Sequence, residues 1–383
     1  MPTVPAVPTA SQRLYFLDWL RMAAFAALVL YHVGMYYVRW DFHVKSPFSA
    51  EVGPWLEPWM RLTEPWRMSL LFMVSGAATA LMLQGSATLA LLRRRSKFLL
   101  LPLLAGIVLI VPPQSYFEVL YKYGYQGDYF SFLGLNFSHY KGFCQAGKCL
   151  ILPTWNHLWF LPYLWLYTVA LWLAVKLWPS LLKTLARQAA RLLQGPGLFL
   201  LPIAWLLAMR LGLAEPYPQN YSLLGDWFSH TRYLSVFLTG AVFASAPALW
   251  TRLADRRWLA LVAALVCWAS LVGARPGRPA EHLVLAVFVW CALVAAFGFA
   301  KHRLDFDHPW RLPLVEAVFP VYIVHQTILI LASQLLLPLQ WAPALEAAVI
   351  IVATFTLSYA GYLLVRRWRA LRPWFGLRSS AGG

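Results

Sequence analysis

Long apolar runs recur along this chain, with little between them that could face water. They lie near 17–38, 68–84, 98–113, 157–178, 197–213, 231–247, 257–273, 282–300, 314–337 and 343–365. Each is about as long as a helix needs to cross the hydrocarbon core of a bilayer. Only 12% of the residues are charged and 60% are hydrophobic. A soluble domain carries roughly 25% charge. Much of this chain must therefore face lipid. The 20 tryptophans suit rings placed at membrane interfaces. The expected architecture is all-α: a polytopic membrane bundle of about ten transmembrane helices in one domain, 17–366. A segment 1–16 precedes it and a basic tail 367–383 follows. The first run has no small-residue cleavage site after it and reads as a retained helix, not a removed signal peptide.

The net charge of +17 does not point to nucleic acid. The basic residues fall in short clusters between alternate runs, which is the positive-inside pattern. They are Arg93, Arg94, Arg95 and Lys97; Lys183, Arg187 and Arg191; Arg252, Arg256 and Arg257; Lys301, Arg303 and Arg311; and Arg366 to Arg378 in the tail. This distribution predicts that both termini are cytoplasmic. It also predicts that the long connections 39–67 and 114–156 lie outside. Residues 179–194, with Lys183, Arg187 and Arg191 every four positions, predict an amphipathic helix on the cytoplasmic leaflet.

Cysteine usage constrains less. Cys144 and Cys149 in CQAGKC would be free to form a disulfide outside the cytoplasm, or to remain two thiols. Cys267 and Cys291 fall within spans and read as core residues. No ligand spacing suggests a metal.

Chemistry concentrates at ionisable groups inside the apolar runs, where they are expensive. Asp18, Arg21 and His32 share the first run. The eleven-residue step from Arg21 to His32 is close to three helical turns, so both project the same way, roughly 16 Å apart along the axis. Asp18 and Arg21 read either as an ion pair anchoring the helix end or as part of a site. His32 reads either as a buried hydrogen-bonded histidine or as a general base, for which imidazole is suited. His325, with Tyr322 and Gln326, makes a polar patch in the ninth run, either joining helices or orienting His32. His157 and Trp159 open the fourth run, and Arg67 occupies the matching place before the second. Ser75, Gly76, Ala77 and Ala78 would let helices approach closely. Arg93, Arg94, Arg95 and Lys97 serve topology or dock an anionic cofactor. No P-loop, dinucleotide fingerprint or nucleophile elbow is present.

With LDWLR followed by His32, LLFMVSG at 70–76, RRRSKFLLLP at 93–102, HLWFLPYL at 157–164 and VYIVHQ at 321–326, the chain resembles the membrane-bound acyltransferase family 3, and within it a glucan-succinyltransferase-like branch. The likeness covers about residues 13–370. It implies transfer of an acyl group, of acetyl or succinyl class, from cytoplasmic acyl-CoA to a saccharide hydroxyl across a bacterial inner membrane. The family's essential Arg and His map onto Arg21 and His32, its basic pair onto Arg94 and Lys97, and its later membrane histidine onto His325. Trp19 and Met22 stand where many members have glycine.

These readings combine into one expected site. His32, Arg21, Asp18 and His325 are the catalytic candidates. Arg93, Arg94, Arg95 and Lys97 would hold acyl-CoA. His157, Trp159, Tyr322 and Arg67 would contact the acceptor. The expected partners are acyl-CoA, a saccharide and the bilayer, without a metal. Direct transfer and an acyl-histidine both suit His32. The competing class is a transporter or flippase of an anionic or lipid-linked substrate. Ten spans with buried charge fit it equally, and Pro320 near His325 would suit a broken helix.

Overall fold

Nearly every apolar run becomes a helix, because a backbone without water must satisfy its own polar groups. The structure, a computed structural model, describes residues 14–84, 87–145 and 147–378. Positions 1–13 of the N-terminal segment and 379–383 of the tail lie outside the described residues.

The helices are α1 (Tyr15–Tyr37), α2 (Ser49–Met60), α3 (Glu64–Leu83), α4 (Leu89–Ala105), α5 (Pro112–Tyr123), α6 (Tyr129–Phe137), α7 (Phe160–Leu177) and α8 (Leu181–Leu192). They continue as α9 (Gly197–Leu213), α10 (Trp227–Ala244), α11 (Pro247–Asp255), α12 (Arg257–Ala269), α13 (Arg278–Arg303), α14 (Arg311–Leu336) and α15 (Pro343–Arg367). A two-stranded hairpin, β1 (Cys144–Gln145) with β2 (Lys148–Cys149), is antiparallel. Among the described residues, seven helical stretches are individually long and apolar enough to cross a membrane, and up to ten if each of three bent pairs is one span. We call the end bearing α2, α5, α6 and the hairpin the loop face, and the opposite end the basic face.

Two bends carry functional weight. Between α4 and α5, residues Gly106–Ile110 form a π-helical turn, and the axis turns by 44°. Pro112 and Pro113 follow, and proline cannot donate to the preceding turn. In the same bend the Ile110 carbonyl accepts from the Thr327 hydroxyl at 2.6 Å. Further on, α8 turns 110° from α9 and runs across the bundle, burying Leu182 and Ala186 against α10.

Packing is closest between α3 and α10. A Cβ on Gly76 would collide with the Phe237 carbonyl, and one on Gly240 with that of Met73. The glycines let two backbones touch, and small residues of this kind commonly drive helix association in lipid. α14 stays one helix through Pro320, so the broken helix that proline suggested is not found. It packs on α1 and α15, and this contact sets the register of the histidines below.

Cys144 and Cys149 form a disulfide across the hairpin, deciding between the two states left open by the sequence. Cys291 is buried and Cys267 half-buried.

Candidate active site

His32 sits about one and a half turns from the loop-face end of α1, where helical periodicity turns it toward α14. There its Nδ1 lies 2.8 Å from Nε2 of His325, with the two rings within 4° of parallel. His325 is wholly buried. Its Nδ1 lies 2.7 Å from the Tyr322 carbonyl, which can only accept. The partners therefore assign the protons. A neutral His325 carries its hydrogen on Nδ1, its Nε2 accepts from His32 Nδ1–H, and His32 is left with an unprotonated Nε2.

A third histidine completes the group. His157 lies on the short turn Asn156–Trp159 leading into α7 and meets the His325 ring edge-on, centroids 5.1 Å apart. Its Nε2–H donates to the Ile323 carbonyl at 3.0 Å, and its own carbonyl accepts from the Tyr322 hydroxyl at 2.7 Å. Three segments far apart in sequence thus bring together His32, His157, and Tyr322 with His325.

Two cavities flank this group. Toward the loop face lies one of about 600 Å³, whose wall includes Tyr31, His32, His43, His157, Trp159, Tyr221 and Gln326. On the other side an apolar cavity of about 250 Å³ between α1, α14 and α15 is lined by Met22, Phe25, Val29, Tyr322, His325 and Phe355 among others. His325 borders the second and His32 the first, so the hydrogen-bonded pair stands between them.

The larger cavity has a wall of continuous hydrogen bonds. Lys122 donates to Asp41 at 2.7 Å and to Glu118 at 2.9 Å. His43 Nδ1–H donates to the other Glu118 oxygen at 2.5 Å, and His43 Nε2 accepts from Gln326 at 2.9 Å. Gln326 also donates to Gln114, and the Gln114 amide reaches Thr327 at 2.7 Å and His157 Nδ1 at 3.4 Å. Satisfied networks of this kind hold their members in one arrangement. Lys45 fastens the loop bearing Asp41 and His43 by donating to the carbonyls of Met35 and Trp40; burial pushes its ammonium down to about 8. On the facing wall, buried Asp226 accepts from Tyr163 at 2.8 Å and from the Tyr221 amide at 3.1 Å, holding Asn220–Ser222 in place.

Arg67 is buried, with its guanidinium 3.7 Å from the centre of the Tyr31 ring. Its Nε has no hydrogen-bond partner among the described residues. Tyr31, His157 and Trp159 line the larger cavity, so of the expected acceptor contacts His157 and Trp159 reach it directly, Arg67 through Tyr31 and Tyr322 through His157.

The basic face is separate. Asp18 is held by buried Arg311 at 2.6 Å and lies 4.0 Å from Arg21. Arg21 and Arg95 are electrostatic neighbours, and the Nε of each lacks a partner among the described residues. Arg93, Arg94 and Lys97 point to the exterior. The fold thus joins Arg95 to Arg21 and leaves the rest of the cluster at the surface. Asp18 and Arg21 remain three turns away from the histidines.

Sequence reasoning passed over His43, Gln114, Glu118, Lys122 and Asp226. Only the four-residue step from Glu118 to Lys122, which suits an ion pair on a helix, could have marked any of them. Among the described residues no group of three His, Cys, Asp or Glu is arranged to hold a metal.

A family model described as "Acyltransferase domain" matches residues 14–363, most of the chain. This protein belongs to the acyltransferase-3 family. It is a multi-pass membrane acyltransferase. Curated relatives include the glucans biosynthesis protein C of Escherichia coli strain SMS-3-5 and that of strain O9:H4 HS. Each is 25% identical over 336 residues, covering 83% of this chain and 82% of the relative. No solved structure matches this acyltransferase.

Proposed function

We propose that the protein moves an acyl group of acetyl or succinyl class from acyl-CoA at the basic face to a saccharide hydroxyl at the loop face. The observation that carries this reading is the His32–His325 pair standing between two cavities of opposite character. The basic clusters support a cytoplasmic basic face with both termini on that side, in a bacterial inner membrane.

Arg21 and Arg95 receive the donor's phosphates, helped by Arg93, Arg94 and Lys97, since guanidinium and phosphate form strong charge-assisted bonds. The apolar cavity begins at Met22, next to Arg21 in sequence, and ends at His325. The donor's thioester arm follows it. Asp18 steadies Arg21 together with Arg311.

The acceptor enters the larger cavity, where Trp159 and Tyr31 offer ring faces and His157 and Arg67 stand close by. Names of the relatives point to a glucan as the class of acceptor. His32 Nε2 takes the proton of the attacking hydroxyl. The oxygen bonds to the thioester carbon, the C–S bond breaks, and the CoA sulfur leaves as a thiolate that takes up the proton His32 removed, returning the imidazole to its neutral form. His325 fixes the His32 tautomer throughout, much as an oriented partner does in other imidazole bases. Bringing both reactants to the same histidine pair, one from each cavity, supplies much of the rate.

The test is mass spectrometry of cell-envelope glycans from a strain lacking the gene, rescued with wild type or His32→Ala at equal expression. A defined mass increment restored by wild type alone supports the reading and names the acyl group. Equal restoration by both would remove His32 from the chemistry. No increment on any glycan would overturn the saccharide acceptor.

A further inference from the structure

A second cavity on the loop face, about 530 Å³, lies beside the disulfide hairpin and takes no part in the mechanism above. Its lining combines rings with amides and one ammonium: Tyr123, Tyr125, Tyr140, Gln126, Gln145 and Lys122. The three tyrosines gather about buried Phe143, with centroids 5.9, 5.6 and 5.0 Å from its ring. Tyr140 is 41% exposed. The hairpin that forms one edge is closed by Cys144–Cys149.

Lys122 lines this cavity and the acceptor cavity alike. Asp41 and Glu118 take two of its donors. An ammonium has three, so one remains for a ligand at the junction. Each cavity alone falls within the roughly 300–1,000 Å³ of small-ligand sites, so the two in line hold more than one ring-sized unit. Sugars present C–H faces that stack on aromatic rings and hydroxyl edges that bond to amides and ammonium groups, which matches this lining.

We infer that the hairpin cavity is a second saccharide subsite, and that the acceptor is an extended glycan passing Lys122 between the two cavities. This rests on the acyl-transfer reading above. The subsite adds binding far from the reacting hydroxyl, so it lowers KM with chain length and leaves kcat little changed.

Purified full-length protein is assayed with acyl-CoA and either methyl glucoside or linear glucan oligosaccharides of increasing length. In the wild type, KM is expected to fall roughly tenfold or more from monomer to the longer chains, the equivalent of one good ring contact. The Tyr125→Ala/Tyr140→Ala variant is expected to lose that dependence while keeping the wild-type kcat and monomer KM. Tyr140→Phe keeps it, because the ring remains. A wild-type KM independent of length overturns the inference, as does a double variant that shifts monomer and oligosaccharide alike. Failure to acylate any saccharide overturns the acyl-transfer reading first, and this one with it.

Discussion

His32 Nδ1 and His325 Nε2 lie 2.8 Å apart across the α1–α14 contact, from residues 293 positions apart in sequence. The Tyr322 carbonyl, by taking the His325 Nδ1 hydrogen, dictates which nitrogen of His32 is bare.

On the proposed mechanism, replacing either ring is expected to act on kcat. His32→Ala is expected to lower kcat by roughly 10²–10⁴, the usual contribution of a general base. His325→Ala is expected to lower it with acceptor KM nearly constant, since the base remains but its tautomer is no longer imposed. His325→Gln, whose amide can still accept from His32, should recover part of the loss. Steady-state rates of CoA release with varied acceptor check all three. An unchanged kcat in His325→Ala would remove the orienting role.

Donor affinity should follow burial. Arg21→Ala and Arg95→Ala are expected to raise the KM for acyl-CoA by roughly tenfold each, as loss of a charge-assisted phosphate contact does. Arg93→Ala, Arg94→Ala and Lys97→Ala, at the exterior, should each change it much less. Initial rates against acyl-CoA concentration at fixed salt distinguish the two groups.

Glu118 ties His43 to Lys122 on the wall of the larger cavity, where the proposed acceptor would sit. Glu118→Gln keeps the shape and removes the charge, so both partners lose their anchor and the cavity wall loosens. The expected result is a several-fold higher acceptor KM with donor KM unchanged, measured by varying each substrate in turn.

The α3–α10 seam should tolerate no added side chain. Gly76→Val and Gly240→Val each force a carbonyl of the facing helix to move, and overpacking of this kind costs about 1–3 kcal/mol or more. Gly361→Ala, whose Cβ would meet nothing within 4 Å, should be close to neutral. Thermal unfolding of detergent-purified protein, followed by the monodisperse fraction remaining, ranks them.

Much of the architecture was legible in the chain itself. Apolar runs of bilayer length have one outcome in lipid, the helix, because no water is present to serve the backbone. That argument is local and needs no knowledge of neighbours, so each expected run falls on a helix, seven of them individually long and apolar enough to cross a membrane among the described residues, and residues 181–192 form the helix α8. It also singled out His32 and His325, since an ionisable side chain within such a run stands against the cost of burying it.

Pairing could not be read in the same way. Helical periodicity says which way His32 and Arg21 face, but not which helix they face. The register of α14 against α1, which brings His325 rather than Gln326 or Tyr322 to His32, comes from side-chain packing over the whole interface. Nor could loop residues announce themselves: His43, Glu118 and Lys122 lie in polar connections where charge costs nothing, and Asp226 reads as an ordinary helix cap. His43, Glu118 and Lys122 become one hydrogen-bonded wall only when α5 bends after Gly106–Ile110 and carries Gln114 and Glu118 toward the mouth of the bundle. Segment type is set by local solvent preference and is therefore written in the sequence. The joining of His32, His325, His157 and His43 depends on contacts between distant segments, which only the tertiary structure decides.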